Sequence, residues 1–356
     1  MPPRGPHVVH PHPVHPHPGD RSPERHREVV FMPRRGSTLP THPASVPPHH
    51  VTAAPHTPTP EAPVPLAALP RRRHLGALAA ALGLAAGSLG LWSANSSAST
   101  AAAVPTPDHV VVVVFENHAY DQVIGSSSAP YLNSLATGGA SLTASYAETH
   151  PSQPNYYALF SGDTQGVTDD SCVDIGFSDA PNLATELADK GRTWASYNES
   201  LPAEGSTTCS SGRYRQKHNP WFGFGNVPTS TAHTFDAFPT DYTKLPTVSF
   251  VVPNMCSDMH DCSVSTGDTW LKKNLKGYAD WAKTHNSLLL VTFDEDNRLS
   301  GNRIPTVLYG QPVKAGSTSA TTYNHYDVLR TIEDMYGTAH AGNAASGQDI
   351  TGVWNS

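Results

Sequence analysis

Ser152 lies in the segment His150-Pro151-Ser152-Gln153-Pro154-Asn155-Tyr156-Tyr157, which reads as a loop entering a helix that Gly162 can end. A hydroxyl at such a place has two explanations. It is an N-cap, or it is a nucleophile set where free N–H groups and the helix dipole favour an anion. Carboxylates elsewhere bear on the choice, because they follow apolar runs. Glu116-Asn117-His118 comes after 109–115, Asp258-Met259-His260-Asp261 soon after 247–252, and Asp294-Glu295-Asp296 after 287–293. One acidic residue beyond a strand is often a helix cap or turn former. Three strand ends with carboxylates and an imidazole are harder to dismiss, since clustered like charges repel unless a cation sits among them. A metal held there would deprotonate the Ser152 hydroxyl and orient it for attack on phosphorus.

The runs before these groups are the elements that must position them. HVVVVVF at 109–115 is almost wholly β-branched, as in a strand covered on both faces of a parallel sheet. Similar runs recur at 192–197, 247–252, 287–293 and 304–309, and helical patterns fall at 181–190, 268–284 and 325–336. Strands alternating with helices imply right-handed crossovers and an α/β sandwich with a mostly parallel central sheet flanked by helices. In such sheets chemistry gathers at the carboxyl ends of the strands. The Gly/Ser/Thr/Pro-rich stretch 199–240 has no clear period and is expected to cover one edge of the site.

Composition divides the chain into three parts. Residues 1–70 hold 19 of the 33 prolines and 10 of the 20 histidines, so they read as a disordered extension unable to bury a core. Residues 71–103 begin with Arg71, Arg72 and Arg73, continue through an apolar stretch from Leu75 to Trp92 and end in small residues. That is the grammar of a signal peptide, the alternative being a membrane anchor. Residues 104–356 form the expected catalytic domain, with 14 Lys and Arg against 26 Asp and Glu, a net charge of −12. Such acidity disfavours nucleic acid and a polybasic hold on anionic membranes. All four cysteines fall in this part, and an even number in an exported chain suggests disulfides. Three pairings are open, and sequence proximity favours Cys172–Cys209 with Cys256–Cys262.

Several segments together resemble one family. ENHAYDQVIG at 116–125, His150 with PSQPNYYALFSGD at 151–163, KHNPW at 217–221, SDMHDC at 257–262, TFDEDN at 292–297, NRIPTVLYG at 302–310 and YNHYDVLRTIEDMYG at 323–337 are similar to the phosphoesterase family of secreted acid phosphatases and bacterial phospholipases C. That family is related to the alkaline-phosphatase superfamily. The resemblance implies an alkaline-phosphatase-like sandwich in which a metal-bound hydroxyl forms a covalent phosphoenzyme. It places Ser152 at the nucleophile and Asn155 at a phosphate-oxygen donor. It also implies metal ligands at Glu116, Asp258, His260, Asp294, Glu295 and His325, with Asn117 beside the first of them. Lys217, His218 and Asn219 are expected to meet phosphate oxygens, His218 also donating a proton to the leaving alkoxide. Glu295 stands where many superfamily members have histidine, and Asn254 falls near an expected aspartate. Carboxylate-rich ligands suit harder divalent cations.

The function expected is an exported, metal-dependent phosphomonoesterase acting through a phosphoserine. Its substrate is a phosphate ester, a phospholipid head group included. The alternatives are a phospholipase C-type phosphodiesterase and a non-catalytic extracellular binding module on the same scaffold. Metal-independent serine hydrolysis is disfavoured by the absence of a G-x-S-x-G elbow. The product is expected outside the cell or anchored to the outer face of its membrane, with membrane contact only through an uncleaved signal.

Overall fold

The computed structural model describes residues 103–174 and 176–356. The proline- and histidine-rich extension, 1–70, and all but the last residue of the 71–103 segment lie outside the described residues. In chain order the main elements are β1 (His109–Phe115), α1 (Pro130–Gly138), β2 (Ala140–Tyr146), α2 (Ser152–Ser161), α3 (Leu183–Asp189), β3 (Trp194–Asn198) and β4 (Ala232–Thr234). They are followed by β5 (Val248–Val252), α4 (Val264–Ala282), β6 (Ser287–Phe293), β7 (Arg303–Gly310), β8 (Ser317–Ser319) and α5 (His325–Tyr336).

The strands form one eight-stranded sheet in the order β8-β2-β7-β6-β1-β5-β3-β4. β1 pairs in parallel with β5 and β6, and β3 pairs in parallel with β4 and β5. β7 runs antiparallel to both of its neighbours, β6 and β2. Every other strand therefore points its carboxyl end to the same edge, and the ends of β1, β5 and β6 lie side by side there. Period-two alternation divides the valines of β1 between two cores. Val110, Val112 and Val114 pack with residues of α2, α3 and α5. Val111, Val113 and Phe115 pack with residues of α1 and α4. The result is an α/β sandwich with a mostly parallel sheet between two helical layers.

Two local features hold the site-bearing segments. Gly162 ends α2 in the left-handed conformation at φ 67°, and a Cβ there would lie 2.0 Å from the Ala341 carbonyl oxygen. No other residue type fits that place. The disulfides are Cys172–Cys209 and Cys256–Cys262, the second closing the loop that carries Asp258. Among the described residues no helix is long and apolar enough to cross a membrane.

One packing contact away from the sheet edge makes stability depend on pH. Glu186 of α3 and Glu333 of α5 are both buried, and each has an Oε2 with no hydrogen-bond partner. Burial raises both carboxyl pKa values above the ordinary 4.5, and for Glu333 the adjacent Glu186 raises it further. A raised carboxyl pKa means the folded state holds a proton that the unfolded chain releases. The stabilisation is fully present below pH 4.5 and is lost as pH rises through the folded-state values. Glu333→Gln, a mimic of the protonated form, is expected to flatten the fall in melting temperature between neutral and alkaline pH. An unchanged slope would show that the pair holds no proton.

Candidate active site

Glu116 is the first residue past β1 and sits fully buried at the sheet edge. Its backbone N–H donates to the Asp258 carbonyl at 2.9 Å, which ties the end of β1 to the loop that follows β5. Each of its carboxylate oxygens has its own set of neighbours. Oε2 accepts from Ser152 Oγ at 2.9 Å and from Asn117 Nδ2 at 3.2 Å. Oε1 accepts from the Tyr156 hydroxyl at 2.7 Å and lies 3.0 Å from His218 Nε2. On its other side His218 brings Nδ1 to 3.4 Å from Asp258 Oδ2. One ligand atom from each of Glu116, His218 and Asp258 lies within 4.8 Å of the other two, and all three residues are buried.

α2 settles what the Ser152 hydroxyl does locally. Pro151 is the N-cap and makes no side-chain cap, so Ser152 opens the helix and its hydroxyl turns to Glu116 instead of to the backbone. Tyr156, four residues on, lies on the same face. It stacks on His218 with ring centroids 5.0 Å apart and planes at 12°. The loop before the helix is held by Asn155, whose Oδ1 accepts from the N–H groups of Glu148 and Thr149 at 3.0 Å each. Its Nδ2 donates to the carbonyls of Thr149 and Pro151.

The electrostatics are those of charges converging without mutual neutralisation. Burial alone would raise Glu116, but the charge of His218, with Lys217 and Tyr156 behind it, lowers it to about 2. Burial would lower His218, yet Glu116 and Asp258 raise it to about 9. Asp258 is raised to about 6 by burial and by Glu116, against the pull of His218. Burial raises Asp294 well above the ordinary carboxylate range, with Glu116 and Glu295 adding to it. Four buried atoms near this point have no hydrogen-bond partner: His218 Nε2, Asp258 Oδ2, Asp294 Oδ2 and His325 Nδ1. Buried polar atoms left open are costly unless something else takes them. Open nitrogen and carboxylate oxygen atoms are the donors a divalent cation takes, so the residues present fit such an ion.

Residues 126–339 match the model of the phosphoesterase family. The chain belongs to the phosphoesterase family. It is 49% identical over 289 residues to a phosphatidylinositol-3-phosphatase of Mycobacterium tuberculosis, covering 80% of this chain and 96% of that protein. It is 31% identical to a probable acid phosphatase of Kluyveromyces lactis, covering 65% of this chain and 58% of that one. An acid phosphatase of Aspergillus fumigatus is also 31% identical, with 67% of this chain and 57% of its own length covered. The chain thus spans under three fifths of these two fungal relatives. A solved structure of a protein in the alkaline phosphatase superfamily from Vibrio parahaemolyticus aligns at 15% identity with a TM-score of 0.49, over 70% of this chain and 71% of that one.

This phosphoesterase is a phosphoric ester hydrolase, and its geometry sorts the residues expected from sequence. Glu116, Asp258 and Ser152 meet. Asp294 joins them through the Asn117 N–H, which donates to its Oδ1 at 3.0 Å, leaving Oδ2 open. Asn117 adopts φ 57°, which turns both its N–H and its amide into the site. His325 Nε2 lies 2.8 Å from the Asp294 carbonyl, so only its Nδ1 faces free. Burial lowers that imidazole to about 4. Lys217 is mostly buried beside Glu116 and Asp294, whose charges raise its pKa against the effect of burial, and its Nζ donates to Asp170 at 2.8 Å.

Five further residues expected at the site are placed as follows. His218, expected as a proton donor to the leaving group, has its two ring nitrogens beside the carboxylates of Glu116 and Asp258. His260, expected as a ligand, is exposed and pairs with Asp261 at 2.8 Å, while its N–H caps Asp258 Oδ1. Glu295, expected beside Asp294 as a ligand, turns to His150 Nδ1 at 2.7 Å. Asn155 has its amide committed to the loop backbone and has none left for a phosphate oxygen. Asn219 is 1% exposed, and its Nδ2 donates to the Arg215 carbonyl at 2.8 Å.

Three contributors went unassigned in the sequence. Tyr156 carried a signal in its four-residue spacing from Ser152. Asp170 accepts from both Lys217 and the Gln153 N–H, and nothing in its local sequence marks it. Glu148 accepts from the His325 N–H at 3.0 Å and so sets the start of α5.

Proposed function

We propose that this phosphoesterase is an exported, metal-dependent phosphomonoesterase that works through a phosphoserine at Ser152, in a catalytic domain spanning 104–356. The observation that carries the reading is the 2.9 Å hydrogen bond from Ser152 Oγ to Glu116, whose other oxygen lies beside the His218–Asp258 pair. Glu116, His218 and Asp258 would hold a divalent cation, with the open oxygen of Asp294 nearby. Such an ion supplies Lewis-acid stabilisation of phosphoryl oxygens and lowers the pKa of a neighbouring hydroxyl.

The remaining work falls to side chains. Ser152 attacks phosphorus in line: the Oγ–P bond forms as the P–O bond to the leaving group breaks, the Ser152 proton is lost by way of Glu116 Oε2, and the departing alkoxide takes a proton from water. Water then cleaves the phosphoserine, releasing phosphate and restoring the hydroxyl. Tyr156 and Asn117 hold Glu116 in place, and Lys217, which stays cationic, draws the phosphate into a site otherwise lined by carboxylates. The two disulfides support an oxidising compartment, and the 71–103 segment supports export by a signal. The relative named phosphatidylinositol-3-phosphatase supports a lipid-borne phosphomonoester as substrate.

The test is a parallel assay with nitrophenyl phosphate and the matching bis-nitrophenyl diester. The monoester is expected to turn over at least about tenfold faster, a difference of roughly 1.4 kcal/mol in transition-state stabilisation. Preference for the diester would replace this reading with a phospholipase C-type one.

A further inference from the structure

Leu299 is the one large apolar side chain left open among the described residues, with 84% of its surface facing solvent. A single exposed leucine is ordinary, but the setting of this one is not. It lies at the tip of the turn 297–301, directly after Asp294, Glu295 and Asp296, at the sheet edge that carries Ser152. Buried Asp296 pins the turn. Its Oδ1 accepts from the Arg298 N–H at 2.6 Å, and its Oδ2 accepts from Ser300 at 2.7 Å and Asn302 at 3.0 Å. The Asp296 N–H donates back to Asn302 Oδ1 at 2.9 Å.

Asn302 also ties the turn to the loop that delivers Ser152. Its Nδ2 donates to the Thr149 carbonyl at 2.9 Å, and its own carbonyl accepts from the Ala147 N–H. Arg298 and Asn302 adopt φ 67° and 63°, a region disfavoured for residues other than glycine. An apolar side chain is thus held outward on a backbone that Asp296 and Asn302 pin from within, instead of folding against the nearby core. The exposed residues at the tip are Arg298, Leu299, Ser300 and Gly301, one cation and no carboxylate, in a domain with a net charge of −12.

We infer that the 297–301 turn is an interfacial contact: Leu299 enters the boundary between head groups and acyl chains of a phospholipid bilayer, and Arg298 pairs with an anionic lipid phosphate. That contact would bring the loop that delivers Ser152, tied to the turn through Asn302, toward the surface that carries its substrate. This rests on the lipid-borne phosphomonoester reading of the same site. An apolar side chain with one cation gives weak and reversible attachment, which suits an enzyme that must move between head groups. No basic cluster is needed.

The experiment compares wild type with Leu299→Asp on two substrates, soluble nitrophenyl phosphate and phosphatidylcholine vesicles doped with phosphatidylinositol phosphate. The variant is expected to keep its rate on the soluble ester while its apparent KM for vesicles rises about tenfold, the scale of losing one buried leucine. Equal vesicle kinetics would overturn the inference, and so would a matching loss on both substrates, which would make the turn a support of the site. Leu299→Trp provides an arm independent of turnover. Its emission is expected to shift to the blue on adding the same vesicles, and an unchanged spectrum would overturn the contact even if the phosphatase reading stands.

Discussion

Ser152→Ala is expected to lower phosphate release by about 10⁴-fold and to abolish labelling of the enzyme by a phosphate ester in single turnover. The loss follows from what the hydroxyl alone can do at this point. Among the neighbours of Glu116, Ser152 alone opens a helix and turns a hydroxyl away from its own backbone; Tyr156 is buried, and burial followed by the charge of Glu116 raises its pKa well above the ordinary value. A phenol so held cannot ionise to replace the serine. The fold is expected to survive the change. Ser152 is 2% exposed and gives up one hydrogen bond, a cost of about 1 kcal/mol, while Glu116 keeps Asn117 and Tyr156. Circular dichroism and melting of the variant therefore separate lost chemistry from lost structure. A folded variant that retained full turnover would remove Ser152 from the reaction.

How far such a site can be read from sequence depends on which signals are local. The β-branched run of β1 is continuous, so its bounds at His109 and Phe115 follow from composition. β6 was equally legible. β2, ASLTASY, was not: its residues are small or hydroxylated, and part of its fit comes from Ser145 and Thr306 sharing a hydrogen bond at 2.8 Å across to β7. The reversed direction of β7 had a signal that alternation of strands and helices obscures. Only nine residues separate β6 from β7, too few for a parallel crossover. At the site, Glu116, Asp258 and Asp294 were legible because strand ends converge whatever the connections do. Which imidazole joins them was not. His218 and His260 sit in equally polar segments, and only the three-dimensional course of the 216–218 turn buries one ring between two carboxylates while leaving the other beside Asp261. Asn155 runs the other way, a motif position whose side chain bonds the loop that presents its neighbour, which no local pattern announces.

Glu116→Gln is expected to cost about 10³-fold in turnover and to remove the response of the protein to divalent ions. The substitution keeps the shape of the side chain and replaces its charge. Two consequences follow from the distances around it. Only one of Tyr156 and Ser152 still finds an oxygen to donate to, because the other position becomes an NH₂ that faces a donor. His218, raised to about 9 chiefly by Glu116 acting against burial, loses that support and becomes a buried cation with only Asp258 beside it. Breaking a buried pair in this way destabilises by about 3 kcal/mol. The sign with pH is set by the lowered pKa of Glu116. Its contribution to stability is present above 4.5 and is lost as pH falls toward 2, so the variant and wild type should converge in melting temperature under acid conditions and diverge near neutrality. Ion binding is read separately. An ion that binds only the folded state raises its melting temperature, and the rise grows with the logarithm of ion concentration above Kd. Wild type stripped of metal is expected to regain both stability and activity on adding a divalent ion, and the variant neither. Undiminished turnover by exhaustively stripped wild type would leave the open atoms on His218, Asp258 and Asp294 without a cation to explain them, and the carboxylate-rich end of this sheet would need another chemistry.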